Sequence, residues 1–110
     1  MQEVLKVATC QFAVGRSIER NAERIREFLH EAAKNKADIV HFSECALSGY
    51  VGTDFPSFDG YNWDLLKEET LKIMALAGKL RLWVVLGSTH SPINQFANSP
   101  INLFLDTLLF

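Results

Sequence analysis

Apolar residues along this chain change their period several times. From Val4 to Phe12, VLKVATCQF, β-branched and apolar residues dominate and the run stops before Gly15, which predicts an opening strand. Behind Ser17, residues Ile18, Ala22, Ile25, Leu29 and Ala32 recur at steps of four and three. They therefore share one stripe of a helix capped by Ser17 and ending near Asn35. Ala37 to Phe42 is short and almost continuously apolar, the pattern of a strand covered on both faces in a parallel sheet. Strand, helix and strand in this order form a βαβ unit with a right-handed crossover.

Gly49 to Gly60, GYVGTDFPSFDG, mixes glycine, proline, aspartate and aromatic residues without a period and predicts a functional loop. A second helix is expected from about Trp63, with Leu66, Thr70, Ile73 and Ala77 on one stripe and Gly78 marking its C-terminal region. Leu82 to Leu86 is a third strand, stopped by Gly87. Pro92 and Pro100 bracket a loop, and a fourth strand is expected from Ile101 to Leu105. The order β-α-β-loop-α-β is that of an α/β layered fold.

Composition narrows the class. A chain of 110 residues with 48% hydrophobic and 22% charged residues is an ordinary globular chain of one domain. At this length about two thirds of the unfolded surface is removed from water. The formal net charge of −2 gives no footprint for nucleic acid or an anionic membrane. Arg20, Arg24 and Arg26 are interleaved with Glu19, Glu23 and Glu27 and read as a solvated helix face. No apolar stretch reaches the roughly eighteen residues of a membrane span, and Glu3 and Lys6 stand where a signal peptide would be uncharged. Cys10 and Cys45 are far apart and form no C-x-x-C, in keeping with a reducing compartment. The expected location is cytoplasmic.

The candidate chemistry centres on HFSECALSGY, His41 to Tyr50. Glu44 ends an apolar strand, and open α/β sheets place ligand crevices outside the carboxyl ends of their strands. Partial desolvation there would raise the carboxyl pKa toward general acid or base work near neutrality. The same group could instead cap a neighbouring helix or pair with a lysine. Cys10 lies inside the first strand, and strand alternation sends Cys45 to the side opposite Glu44, so both are expected to be buried small hydrophobes. His30, His41 and His90 lack the short spacing of a zinc site, and no metal is expected. His30 is expected on a helix surface and His41 as a hydrogen-bonded strand-end residue. Tyr50, Phe55 and Phe58 either line a pocket or simply pack. No G-x-G-x-x-G, G-x-x-x-x-G-K-[ST] or G-x-S-x-G is present, so nucleotide-binding and serine-hydrolase readings have no anchor.

HFSECALSGY resembles the first catalytic segment of the nitrilase, or carbon-nitrogen hydrolase, superfamily, with Ser43 where many members have proline. VLKVATCQF is similar to the family's first strand, and NAERIREFLHEAAKNKADIVHFSE to its first helix and second strand. ALAGKLRLWVVLGSTH is similar to the second helix and third strand, and Asn98-Ser99 to a pair that leads into the next strand. The resemblance implies a four-layer α-β-β-α sandwich, a small amide or nitrile substrate, no cofactor, and dimers or larger homo-oligomers. It also implies a Glu-Lys-Cys triad that hydrolyses a carbon-nitrogen bond, with Glu44 as its general base. On the family pattern the lysine and the nucleophilic cysteine come after Phe110; Lys67, Lys72 and Lys79 stand on the wrong segment. Residues 1–110 are therefore expected to be the N-terminal part of one hydrolase domain, inactive alone. The alternative is a noncatalytic α/β module that pairs through an open sheet edge at the apolar end INLFLDTLLF, with Glu44 structural.

Overall fold

A computed structural model describes residues 3–89, 102–104 and 107–110. His90, the Pro92 to Pro100 loop and the Asn98-Ser99 pair lie outside the described residues. The elements are β1 (Val7–Cys10), α1 (Ile18–Lys34), β2 (Ile39–Phe42), α2 (Trp63–Leu80), β3 (Trp83–Gly87), β4 (Asn102–Phe104) and β5 (Thr107–Leu109).

Helix α1 follows its apolar period. Ser17 is the N-cap and accepts the Arg20 N–H at 3.2 Å, Asn35 is the C-cap, and the five predicted stripe residues are all buried. Helix α2 is capped by Asn62, which accepts the Leu65 N–H at 3.0 Å, and buries Leu66, Thr70, Ile73 and Ala77. Gly78 stands in its C-terminal region, as expected. The helix runs on to Leu80, and Arg81 supplies the left-handed residue at φ 57°, its N–H reaching the carbonyls of Ala77 and Gly78. Glu69, 5% exposed, is buried on α2 but paired: Arg26 of α1 reaches it at 2.6 Å and Lys72 at 3.5 Å.

Strand β1 is shorter than the apolar run that predicts it. Val4 and Leu5 are 77% and 72% exposed, and pairing begins only at Val7, opposite Ile39. The sheet order is β1-β2-β3-β5-β4. Strands β1, β2 and β3 are parallel, with Val7, Ile39 and Trp83 in one row and Thr9, His41 and Val85 in another. Both helical crossovers step one place in the same direction, so right-handed connections put both helices on one face. There α1 and α2 pack on Val40, Phe42, Val84 and Leu86, all nearly fully buried.

The prediction that β2 is covered on both faces is corrected by this arrangement. Alternation turns Val40 and Phe42 toward the helices, while His41 is exposed on the opposite face with Val7 at 54% and Trp83 at 60% exposure. One helical layer on one sheet makes two of the layers that an α-β-β-α sandwich stacks. The C-terminal stretch also differs from expectation. Its first part is β4, within the predicted Ile101 to Leu105 strand, but an unpredicted antiparallel strand, β5, inserts between β3 and β4. Among the described residues β5 is thus paired on both sides while β4 takes the edge of the sheet, and Phe110 is buried, its backbone bonded both ways to Val84 at 2.7 and 3.0 Å.

Candidate active site

The chain leaves β2 at Phe42 and enters a turn over residues 44–48, laid directly on the C-terminal end of β3. Gly87 makes that approach possible. A Cβ there would lie 2.2 Å from the Ser43 carbonyl oxygen, 2.7 Å from the Cys45 nitrogen and 2.8 Å from the Glu44 Cα. Hydrogen bonds fix the turn from three sides. From β3 and beyond, the Leu47 N–H donates to the Gly87 carbonyl at 3.2 Å and the Thr89 N–H donates to Ser48 Oγ at 2.9 Å. From α1, Asn21 Nδ2 donates to the Leu47 carbonyl at 3.1 Å and to the Gly15 carbonyl at 2.8 Å, while its Oδ1 accepts the Gly15 N–H. From the loop before α2, the Tyr61 hydroxyl donates to the Ser48 carbonyl at 2.8 Å.

Beside this turn is a hollow of about 200 Å³, lined by Glu44, Cys45, Tyr50, Val51, Phe58 and Thr89 among others. Glu44 is solvent-exposed, so the desolvation on which the sequence reading relied is not found in this chain. Among the described residues it makes no ion pair. Cys45 is buried as expected, but its predicted side is wrong. The strand has already ended and Cys45 takes a left-handed conformation at φ 53°, so alternation no longer applies and both residues line one hollow. Cys10 is buried on the helix-facing side of β1; burial, and secondarily the Glu31 carboxylate, push its thiol pKa up and disfavour the thiolate. Tyr50 and Phe58 line the hollow, whereas Phe55 is buried and stacks on Tyr61 at 5.1 Å. His30 is exposed on α1. Lys67, Lys72 and Lys79 stand on α2, and none lines the hollow.

Three residues that shape the site escaped the sequence reading. Asn21 sits within the apolar stripe between Ile18 and Ala22 and is 2% exposed; a polar residue inside such a stripe is the signal that marks it. Gly87 reads as a strand stop, not as a close approach. Tyr61 follows the aromatic loop without a period to single it out. Burial pushes the Tyr61 phenol well above its ordinary pKa, and the neighbouring Cys45 adds to the rise. The folded chain thus keeps a proton that an unfolded tyrosine releases above about pH 10, so stability falls as pH rises through that range. Cys10 acts with the same sign from about pH 9. Urea midpoints measured from about pH 8 to 11 should fall, and Tyr61→Phe should flatten the upper part of the fall while costing about 1 kcal/mol near neutrality.

The helix-backed sheet and the acidic turn at the carboxyl edge of its second strand define an α/β protein of nitrilase-like architecture. The chain belongs to the carbon-nitrogen hydrolase family, whose profile matches residues 6–108. In fold it is similar to the crystal structure of the C. elegans NitFhit protein, with a TM-score of 0.56 and 22% sequence identity. That likeness covers 84% of this chain and 24% of the other, so this chain spans about a quarter of that protein's length. A search of curated protein sequences found no match. Among the described residues, no helix is long and apolar enough to cross a membrane.

Proposed function

We propose that residues 1–110 form the N-terminal part of a carbon-nitrogen hydrolase unit of the amidase or nitrilase type, acting in the cytoplasm, with Glu44 as its general base. The observation that carries this reading is the exposed Glu44 carboxylate at the mouth of the hollow beyond β2. In the proposed chemistry a cysteine thiol gives its proton to Glu44 as its sulfur bonds to the amide carbon, and Glu44 returns that proton to the departing amine. Glu44 then takes a proton from the water whose oxygen bonds to the thioester carbon, and returns it to the sulfur as the carbon-sulfur bond breaks, restoring the thiol. A lysine ammonium stabilises the negative charge on the former carbonyl oxygen. The lysine and the nucleophile come from outside these 110 residues. Apart from Glu44 the lining groups carry no formal charge, which suits a small neutral amide.

Losing the nucleophile from a comparable triad removes about 10⁶ in rate, so the chain alone should release no ammonia from aliphatic amides or nitriles. Ammonia release that survives replacement of both cysteines by serine and disappears in Glu44→Gln would overturn the assignment.

The place of β4 at the edge of the sheet favours a second reading, a noncatalytic module that pairs with itself or a partner through that edge. Val7 and Trp83, both more than half exposed and flanking Ile39 in one row of the sheet, are apolar surface that such assembly would also cover. Native mass measurement should then show dimers or larger species at high concentration, and a strict monomer would count against it.

A further inference from the structure

The arginines of α1 do not form one evenly solvated face. Arg26 turns toward α2 and bonds Glu69, whereas Arg20 and Arg24, one helical turn apart on α1, and Arg16, which precedes the Ser17 cap, line a separate hollow of about 520 Å³ between the β1–α1 connection and the first half of α1. No carboxylate lines it; Phe12, Ala13 and Gln11 complete much of its wall. Arg24 is engaged by Glu27 and lies 4.8 Å over the Phe28 ring. Arg16 and Arg20 make no ion pair among the described residues, although Glu19 and Glu23 stand on the same helix outside the hollow. Arg20 and Arg24 are like charges at the i,i+4 spacing of one helix and repel one another, and an anion held by the arginines relieves that repulsion.

We propose that this hollow binds a small organic phosphate monoester. A guanidinium presents a planar fork that grips oxyanions in pairs of hydrogen bonds. A phosphate monoester brings three peripheral oxygens and up to two negative charges to the guanidinium groups, whereas a carboxylate brings two oxygens and one charge. Phe12 and Ala13 offer an apolar surface to the ester's organic part. The assignment does not depend on Glu44. Asn21 belongs both to this lining and to the hydrogen bonds that hold the turn at Leu47, so a bound phosphate would lie one side chain from that turn.

The test is titration of phenyl phosphate into the isotopically labelled 110-residue chain at low salt, read by the backbone and arginine side-chain NMR signals. Saturable shifts are expected at Arg16, Arg20 and Phe12, with inorganic phosphate and benzoate each binding at least about tenfold more weakly. Arg16→Gln with Arg20→Gln should lose at least about tenfold in affinity while Lys34→Gln loses none. Arg16→Gln alone, on an exposed residue before the helix cap, keeps the test decisive if the double variant does not fold. Shifts that spread over every exposed cation without saturating, equal binding of inorganic phosphate, or unchanged affinity in the arginine variants would each overturn the proposal.

Discussion

Glu44→Gln, in a longer polypeptide that supplies the lysine and the nucleophilic cysteine, is expected to lower kcat by about 10² to 10⁴ and leave KM within a few-fold. The amide has nearly the size and shape of the carboxylate and can accept hydrogen bonds, but it cannot take up the thiol proton. What it should not do is unfold the turn. Residues 44–48 are held through the Leu47 and Ser48 backbone, the Ser48 hydroxyl, Asn21, Tyr61 and the end of β3, none of which needs the charge on Glu44. An exposed side chain with no ion pair among the described residues contributes little to stability, so the melting transition should stay within about 0.5 kcal/mol of the parent. Glu44→Asp gives a second reading of the same group, since it keeps the charge but draws it back by a methylene, and misplacement on the order of 1 Å can cost about a hundredfold. A structural glutamate would show the reverse pattern: a lowered melting temperature with kcat preserved in the fraction that folds. Full turnover in Glu44→Gln would remove Glu44 from the reaction.

How much of this was legible follows from which interactions are local. Helix α1 was readable almost to the residue because its stripe and its Ser17 cap lie within one stretch of chain. The place of Glu44 just beyond β2 was readable because an apolar run ending in a carboxylate is a local signal; its role as general base is the proposal that the Glu44→Gln variant tests. The insertion of β5 between β3 and β4 was not, because strand order depends on which distant edge is free, and in INLFLDTLLF the sequence indicated a single strand from Ile101 to Leu105. Cys45 was misplaced for a related reason. Strand alternation holds only while the strand lasts, and a left-handed backbone at a non-glycine residue is an outcome of the packing around it rather than of its type. Asn21 shows the intermediate case: its place in the helix was fixed by the period, but its purpose, bridging Gly15 and Leu47, exists only once both loops are folded against α1.

Gly87→Ala should show how strictly the site depends on contact between the turn and β3. The added methyl would meet three backbone atoms of Ser43, Glu44 and Cys45 at 2.2 to 2.8 Å, and backbone cannot swing aside as the tip of a flexible side chain can. Either the turn lifts off β3 or the strand end moves away. In both cases the Leu47 to Gly87 and Thr89 to Ser48 hydrogen bonds are strained or lost, and the closely packed Ala46 and Leu47 lose contacts. Overpacking and two hydrogen bonds together amount to about 3 to 5 kcal/mol, a large share of the roughly 5 to 15 kcal/mol that holds a domain of this size together. The melting temperature should fall by about 15 °C or more. Gly78→Ala separates this steric cost from any general intolerance of alanine. Gly78 is exposed in α2 with nothing within 4 Å of a Cβ, so there the same change should stabilise by about 0.5 to 1 kcal/mol. If the Gly87 variant still folds, its NMR shifts should cluster at residues 43–49 and 87–89, and it should lose activity in the longer polypeptide with Glu44 intact. A Gly87→Ala chain that melts within a few degrees of the parent would mean that the turn and β3 are not in contact as described.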